Sequence, residues 1–442
     1  MKIGFVSLGC PKNQLDTEVM LRELVEEGFE LTVDESEADV IIINTCAFIE
    51  SAKKESIDTI LDIARLKEED NLKAIIVTGC LAERYREDII NELPEVDAVL
   101  GVGSIHEICN AVRAVTEKTE KFCSFLPKDE VALGGDRVLT TPEHYSYLKI
   151  AEGCDNKCTY CAIPSIRGKF RSRPMEELIA EAKELEEIGV KELCIIAQDI
   201  TRYGEDLYGE YKLHELLRRL KEETSIPWLR LLYCYPDKIT DELVAEIRDN
   251  DRVVKYIDIP LQHIADPVLK RMNRRGNGET IRQVIAKLRR EIPGIVIRTT
   301  FIVGFPGETE EDFRELCEFV HETRFERAGV FTYSREEGTP AYNLKDQIDE
   351  QVKLDRMDMI MSDQMDIAAS INEEKIGSTL TVIYEGFDQL NKTHFGRSEA
   401  DAPDIDGKVY FKVRKKQSFE PGDFVKVKIT DVIDYDLFGT AE

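Results

Sequence analysis

No stretch of the 442-residue chain approaches the ~18 consecutive apolar residues of a membrane-crossing helix, so no membrane span or membrane partner is expected. Basic charge is scarce: 59 Lys and Arg stand against 87 Asp and Glu, a net charge of −28. That argues against a whole-surface affinity for nucleic acid, which needs clustered cations to displace counterions. The N-terminus MKIGFVSLGCPKN lacks the basic start and long apolar run of a signal peptide. It reads as a buried strand, and a cytoplasmic location is expected. No repeat of 20–50 residues and no low-complexity tract is present. The cysteines do not pair up either: there are 11, an odd number, which makes a disulfide framework improbable. What is present is 42% hydrophobic and 33% charged residues, enough to build sizeable cores. At roughly 150 residues per domain, two to four domains are expected.

The first part of the chain alternates strand-like runs (Lys2–Leu8, Asp39–Asn44, Lys73–Val77, Ala98–Val102) with helical patterns (Leu15–Glu27, Ala52–Leu66, Ala82–Leu93, Ile105–Val115). This alternation predicts an α/β domain, residues 1–118, with an open parallel sheet and helices on both faces. Residues 119–139 are polar and turn-rich and read as a linker. A second βα series, residues 140–370, offers strands at Tyr147–Ala151, Glu192–Ala197, Leu229–Tyr233, Tyr256–Ile259, Val296–Val303 and Ala328–Thr332. Six units are too few for a closed eight-stranded barrel, so an open (β/α)6 half-barrel is predicted. Asp349–Glu374 reads as one long helix. In residues 373–442, Val425, Val427 and Ile429 alternate with Lys426 and Lys428, and glycines mark turns; a small five-stranded antiparallel β-barrel is predicted.

The sharpest motif is Cys154-x3-Cys158-x2-Cys161, just after the first strand of the second series. Three thiolates from one short loop can hold three irons of a four-iron cluster, leaving one corner open for a small molecule. A zinc knuckle needs a fourth local Cys or His, and the nearest, His144, precedes the strand. Three core cysteines do not suit so polar a loop. A second trio is visible only through the expected sheet. Cys10, Cys46 and Cys80 each follow a strand and precede a helix, 36 and 34 residues apart. Carboxyl ends of parallel strands share one edge, where ligands bind. One such cysteine is commonly a small buried hydrophobe; three at equivalent positions point to ligands. Cys109, Cys194, Cys234 and Cys317 read as core or near-core residues and Cys123 as an incidental linker thiol.

Other polar residues close strands of the second series: Gln198-Asp199, Gln262-His263 and the glycine turn Gly304–Gly307. His263 reads as a hydrogen-bonding residue. The basic run Arg167–Arg173 has two readings, contact with an anionic group near the cysteine loop or a solvated turn.

With an aromatic residue before its last cysteine, the C-x3-C-x2-C loop resembles that of the radical S-adenosylmethionine enzymes. With the three-cysteine N-terminal domain and a TRAM-like C-terminal barrel, the whole chain resembles the methylthiotransferases. The resemblance implies two four-iron four-sulfur clusters, a radical cluster on Cys154, Cys158 and Cys161 and an auxiliary cluster on Cys10, Cys46 and Cys80. It implies S-adenosylmethionine as cofactor, reductively cleaved to a 5′-deoxyadenosyl radical that abstracts hydrogen from carbon, and sulfur delivery from the auxiliary cluster. By position, Tyr160, Gln198, Arg298 and Phe331 are the expected S-adenosylmethionine contacts. Glu308 follows Gly304 by four residues, where the family often spaces a glutamate by three.

Two branches of the family differ in substrate, a transfer-RNA adenosine or the β-carbon of an aspartate in a small-subunit ribosomal protein. SLGCPKN and IPSIRG resemble the ribosomal-protein branch. From Ile376 to Glu442 there are nine Lys or Arg against 12 Asp or Glu, a net of −3, which suits a basic protein partner better than RNA. The expected partners are therefore a basic ribosomal protein and a reducing electron donor such as flavodoxin or ferredoxin. Transfer RNA belongs to the alternative reading. A non-catalytic iron–sulfur electron carrier or scaffold is the remaining one, and 442 residues are many for a carrier.

Overall fold

The computed structural model describes residues 1–69, 72–117, 121–131, 133–413 and 417–442. Strands β1 (Lys2–Ser7), β2 (Glu30–Thr32), β3 (Val40–Thr45), β4 (Ala74–Gly79), β5 (Ala98–Leu100) and β6 (Phe122–Ser124) form one parallel sheet in the order β2-β1-β3-β4-β5-β6. The sequences VIIINT and AIIVTG are buried at every position, as a strand covered on both faces requires. Successive side chains alternate between the faces. Ile41, Ile43, Ile75 and Val77 pack with α2 (Glu50–Glu69) and α3 (Cys80–Glu92). Val40, Ile42, Ala74 and Ile76 pack with α1 (Pro11–Glu26) and α4 (Ile108–Thr116). Each fully buried Ile or Val contributes about 1.5–3 kcal/mol.

Two strands depart from the sequence expectation. β2 and β6 are three-residue edge strands, too short to carry a period of their own; pairing with β1 and β5 creates them. β6 lies within the expected linker, of which residues 119, 120 and 132 fall outside the described residues. The helix expected at Ile105–Val115 is a 3-10 segment, Val102–Glu107, followed by α4.

The second sheet comprises β7 (Tyr145–Lys149), β10 (Glu192–Ile196), β11 (Trp228–Leu231), β12 (Val253–Asp258), β13 (Val296–Val303) and β14 (Arg327–Thr332). A small hairpin of β8 (Ala151–Glu152) and β9 (Arg171–Ser172) frames the cysteine loop. The order β14-β13-β12-β11-β10-β7 makes an open six-stranded half-barrel, parallel from β10 to β14. The long helix Glu350–Glu373 begins at Asp349, whose carboxylate accepts from Gln351 N at 2.9 Å.

Strands β15 (Thr379–Asp388), β16 (Thr393–Ser398), β17 (Val409–Lys412), β18 (Phe424–Ile433) and β19 (Asp436–Ala441) close into a barrel. Val425, Val427 and Ile429 face its core, with Lys426 and Lys428 outward. The pairing β17–β19 is parallel rather than antiparallel. An odd number of strands in a closed ring cannot alternate direction all the way round, so at least one parallel pair is required.

The chain forms two compact units. One comprises Met1–Thr140, Lys149–Arg173 and Ser334–Tyr342; the other holds Thr141–Leu148, Pro174–Tyr333 and Asn343–Glu442. Both cysteine trios belong to the first. Among the described residues no helix is long and apolar enough to cross a membrane.

Candidate metal centre

Register brings the first trio together. Ser7 of β1 pairs with Asn44 of β3, and Asn44 pairs with Thr78 of β4. Cys10 follows Ser7 by three residues, and Cys46 and Cys80 follow Asn44 and Thr78 by two. With ~4.8 Å between neighbouring strands, the three thiols leave the sheet side by side. Cys10 stands at the N-cap of α1, and Cys80 opens α3, whose first turns end at a kink at Arg86. The thiols also feel one another. Burial pushes Cys80 up to about 12; Arg167 opposes this, while Cys10 and Cys46 add to it. Burial likewise raises Cys46, with Cys10 adding.

Gly9 allows this convergence. Its φ is +94°, and a Cβ there would lie 2.9 Å from Cys46 Cβ and 3.1 Å from Cys46 Sγ. Gly9→Ala is therefore expected to lower reconstituted iron and sulfide by up to about half while the far-ultraviolet circular dichroism stays unchanged, because both the left-handed backbone and the close approach are lost. Unaltered metal content would show that Cys46 does not need this clearance.

Asn13, the last residue of SLGCPKN, staples two cysteine loops: its Nδ2 donates to Leu8 O at 2.7 Å and to Thr45 O at 3.2 Å. Ser56 Oγ accepts from Cys46 N at 3.0 Å. A cavity of about 540 Å³ opens beside Cys10, lined by Ser7, Gln14, Thr17 and Thr140 among others.

The second trio curls in a loop between β8 and β9. Gly153, at φ +77°, is pressed against Lys169 O, which a Cβ would approach to 2.1 Å. Cys154 N donates to Gly168 O, and Cys161 N to Cys158 O, each at 3.1 Å. Cys158 is buried, with Cys154 and Cys161 half-buried. The segment Ser334–Tyr342 reaches the same unit: Ala341 N donates to Thr159 O at 2.8 Å. Buried Glu336 there holds Arg84 at 2.7 Å and Lys53 at 3.2 Å.

Between the trios' loops lies a buried charge network that sequence reasoning missed. Arg167 Nη1 meets Asp16 Oδ2 at 2.7 Å and Glu152 Oε2 at 3.0 Å. Lys149 Nζ meets Asp16 Oδ1 at 2.9 Å and Glu152 Oε2 at 3.0 Å. Arg167 Nη2 donates to Asn13 Oδ1 at 3.1 Å and lies 3.7 Å from Cys80 Sγ. Burial opposes ionisation of Glu152, but Arg167 and Lys149 outweigh it and hold the carboxyl down to about 2. The solvated-turn reading of the basic run therefore does not hold for Arg167 or Arg173, which are buried. Lys149 and Glu152 were the available signal, two charges at the buried ends of β7 and β8.

Among the described residues no group of three His, Cys, Asp or Glu is arranged around a single metal ion. A cubane asks for a different arrangement, since each thiolate binds its own iron. Three converging thiols, two of them at helix N-termini and one packed over a glycine, fit that demand.

In the other unit, Gln198 lies half-buried beyond β10, and Phe331 on β14 is half-exposed. Tyr160 is half-buried within the cysteine loop. Arg298 sits near the start of β13 and is engaged by Asp258 at 2.9 Å, with Asp406 at 3.6 Å. Asp199 is held by Lys238 at 3.1 Å. Buried His263 accepts from Ala265 N through Nδ1 at 3.0 Å. Glu308 braces the glycine turn: it accepts from Gly304 N at 2.9 Å and pairs with Arg356 at 2.8 Å. Two strand ends carry backbone outliers, Tyr233 at φ +64° and Gln262 at φ +73°. Strained positions of this kind cluster where ligands bind.

A six-stranded half-barrel accompanied by a C-x3-C-x2-C loop defines a radical S-adenosylmethionine enzyme. Residues 148–320 match the Radical SAM superfamily, residues 2–101 the uncharacterized protein family UPF0004 and residues 376–441 the TRAM domain. The ribosomal protein uS12 methylthiotransferase RimO of Caldanaerobacter subterraneus subsp. tengcongensis is 54% identical over 441 residues, 99% of each chain. That of Thermoanaerobacter sp. strain X514 is 52% identical over 441 residues, again 99% of each. The radical S-adenosylmethionine methyltransferase TsrM of Kitasatospora setae shares the fold, with a TM-score of 0.56 at 14% identity, covering 86% of this chain and 78% of that one. The chain belongs to the RimO family of methylthiotransferases. It is an enzyme, not an electron carrier, and its cofactors are S-adenosylmethionine and two iron–sulfur clusters.

Proposed function

We propose that this enzyme adds a methylthio group to the β-carbon of an aspartate in ribosomal protein uS12. In this reading Cys154, Cys158 and Cys161 hold the radical cluster, and Cys10, Cys46 and Cys80 hold the auxiliary cluster. The observation that carries the site assignment is that both trios fold into one compact unit, with Arg167 reaching from the loop of one to Cys80 of the other. When bound, the radical cluster supplies the electron that splits the sulfonium of S-adenosylmethionine, and the auxiliary cluster supplies sulfur. The chain's own residues bind and orient. Tyr160, Gln198 and Phe331 are the proposed contacts to S-adenosylmethionine, whereas Arg298 already has carboxylate partners. Glu308 keeps the Gly304 turn in shape. Reduced flavodoxin or ferredoxin is the proposed electron source, in the cytoplasm.

The substrate assignment rests on the names of the full-length relatives together with SLGCPKN and IPSIRG. The acidity of the C-terminal barrel adds less than its composition suggests. Asp401 pairs with Arg327 at 2.6 Å, and Glu385 pairs with Arg397 at 2.6 Å, so part of that charge is neutralised inside the molecule. The test is mass spectrometry of uS12 and of digested transfer RNA from cells lacking and expressing this chain. A methylthio gain on uS12 is expected; a gain confined to nucleosides overturns the reading.

A further inference from the structure

We propose that Arg167 is a positioning residue that raises the reduction potential of the auxiliary cluster by donating a buried, charge-bearing N–H to the sulfur of Cys80. The proposal rests on the reading that Cys10, Cys46 and Cys80 hold that cluster.

The geometry separates two jobs on one guanidinium. Nη1 takes the carboxylates of Asp16 at 2.7 Å and Glu152 at 3.0 Å. Nη2 is turned away from them, toward Asn13 Oδ1 at 3.1 Å and Cys80 Sγ at 3.7 Å. The side chain is only 2% exposed. An unpaired guanidinium at that depth is prohibitively costly, so the carboxylates are what allow a cation to stand beside a ligating sulfur. Lys149 balances the second carboxylate and leaves the network of four neutral.

Reduction of a thiolate-bound cluster adds one electron to an already anionic group. A hydrogen bond to a ligand sulfur, and a positive charge at close range in a water-poor site, both stabilise the reduced form more than the oxidised one. Arg167 supplies both. It comes from the other trio's loop, six residues after Cys161. Glu152 ties it back to that loop's start, since its Oε1 accepts from Gly153 N at 2.9 Å. The first trio thus takes part of its environment from the peptide that carries the second.

The test uses the full chain with Cys154, Cys158 and Cys161 replaced by Ala, reconstituted with iron and sulfide so that one cluster remains. Dithionite with mediators delivers one electron to that cluster, with no bond made or broken, and electron paramagnetic resonance follows the reduced form. In this background Arg167→Gln is expected to leave about tenfold less reduced cluster at a fixed potential, a shift of about −59 mV for a one-electron couple. Asp16→Asn removes a counter-charge and should shift the midpoint the other way. Arg167→Lys keeps the charge without the fork and should fall between parent and Arg167→Gln. A merely structural role would lose cluster without producing opposite shifts. Midpoints unchanged at full iron content, or shifts of the same sign in Arg167→Gln and Asp16→Asn, overturn the proposal. If Arg167→Gln does not fold, the signs for Asp16→Asn and Arg167→Lys decide it. Absence of iron from the parent variant overturns the cluster reading and the proposal with it; the iron count tells these failures apart.

Discussion

Replacing Cys154, Cys158 and Cys161 together by alanine is expected to remove about half of the bound iron and sulfide and all cleavage of S-adenosylmethionine to 5′-deoxyadenosine. Their loop is closed by its own backbone, through Cys154 N to Gly168 O and Cys161 N to Cys158 O, so the change deletes thiols without removing the loop's ties. The companion variant, Cys10, Cys46 and Cys80 to alanine, should also lose about half of the metal but keep cleavage of S-adenosylmethionine, and it should transfer no methylthio group. Iron and sulfide assays with chromatography of 5′-deoxyadenosine distinguish the two. Complete metal loss in either variant would mean that the trios do not hold clusters independently.

The second large effect concerns stability. Glu192→Gln should destabilise the protein by about 3–5 kcal/mol, because it leaves two buried arginines without their shared carboxylate. Arg230 Nε lies 2.5 Å from Glu192 Oε1, and Arg397 Nη2 lies 2.6 Å from Oε2, with all three side chains buried. Arg397 belongs to the C-terminal barrel, so this carboxylate joins barrel to half-barrel. At ~2–4 °C per kcal/mol for a unit of this size, the midpoint of thermal unfolding should fall by on the order of 10 °C. The same group sets an acid limit. Burial opposes its ionisation, but Arg230 and Arg397 outweigh that and hold it below its ordinary 4.5. A depressed carboxyl stabilises the fold above its unfolded value, and that contribution disappears as the pH falls through the folded value. The parent protein should therefore lose stability on acidification below about pH 4.5, and Glu192→Gln should lose less. Denaturant titrations across pH check this; equal acid slopes in the two proteins would remove Glu192 from the account.

Local signals carried most of the architecture. Buried runs such as VIIINT and AIIVTG, alternating with helical spacing, specify a two-sided parallel sheet, because burial on both faces leaves no other home for them. Alternation of Val425, Val427 and Ile429 with lysines specifies a one-sided strand in the same way. Strand–cysteine–helix, met three times, was enough to bring Cys10, Cys46 and Cys80 to one edge, since the carboxyl ends of parallel strands have nowhere else to go. The edge strands β2 and β6 were not legible: three residues carry no period, and only a neighbour's hydrogen bonds make them strands.

What the amino-acid order determined by itself is the class of chemistry: two trios of thiols, their glycine-bearing loops, and the sheets that present them. Tertiary structure alone decided the charges around those thiols. Arg167 meets Asp16 across 151 positions of chain and Glu152 across 15, and neither separation has a period that could be read. It likewise decided that Asp401 and Glu385, acidic by composition, answer to arginines inside the molecule and not to a partner. Hydrophobic periodicity is a property of neighbours along the chain and survives translation into one dimension. Charge pairing in a buried site depends on distance in space and on the exclusion of water, and both exist only once the chain has folded.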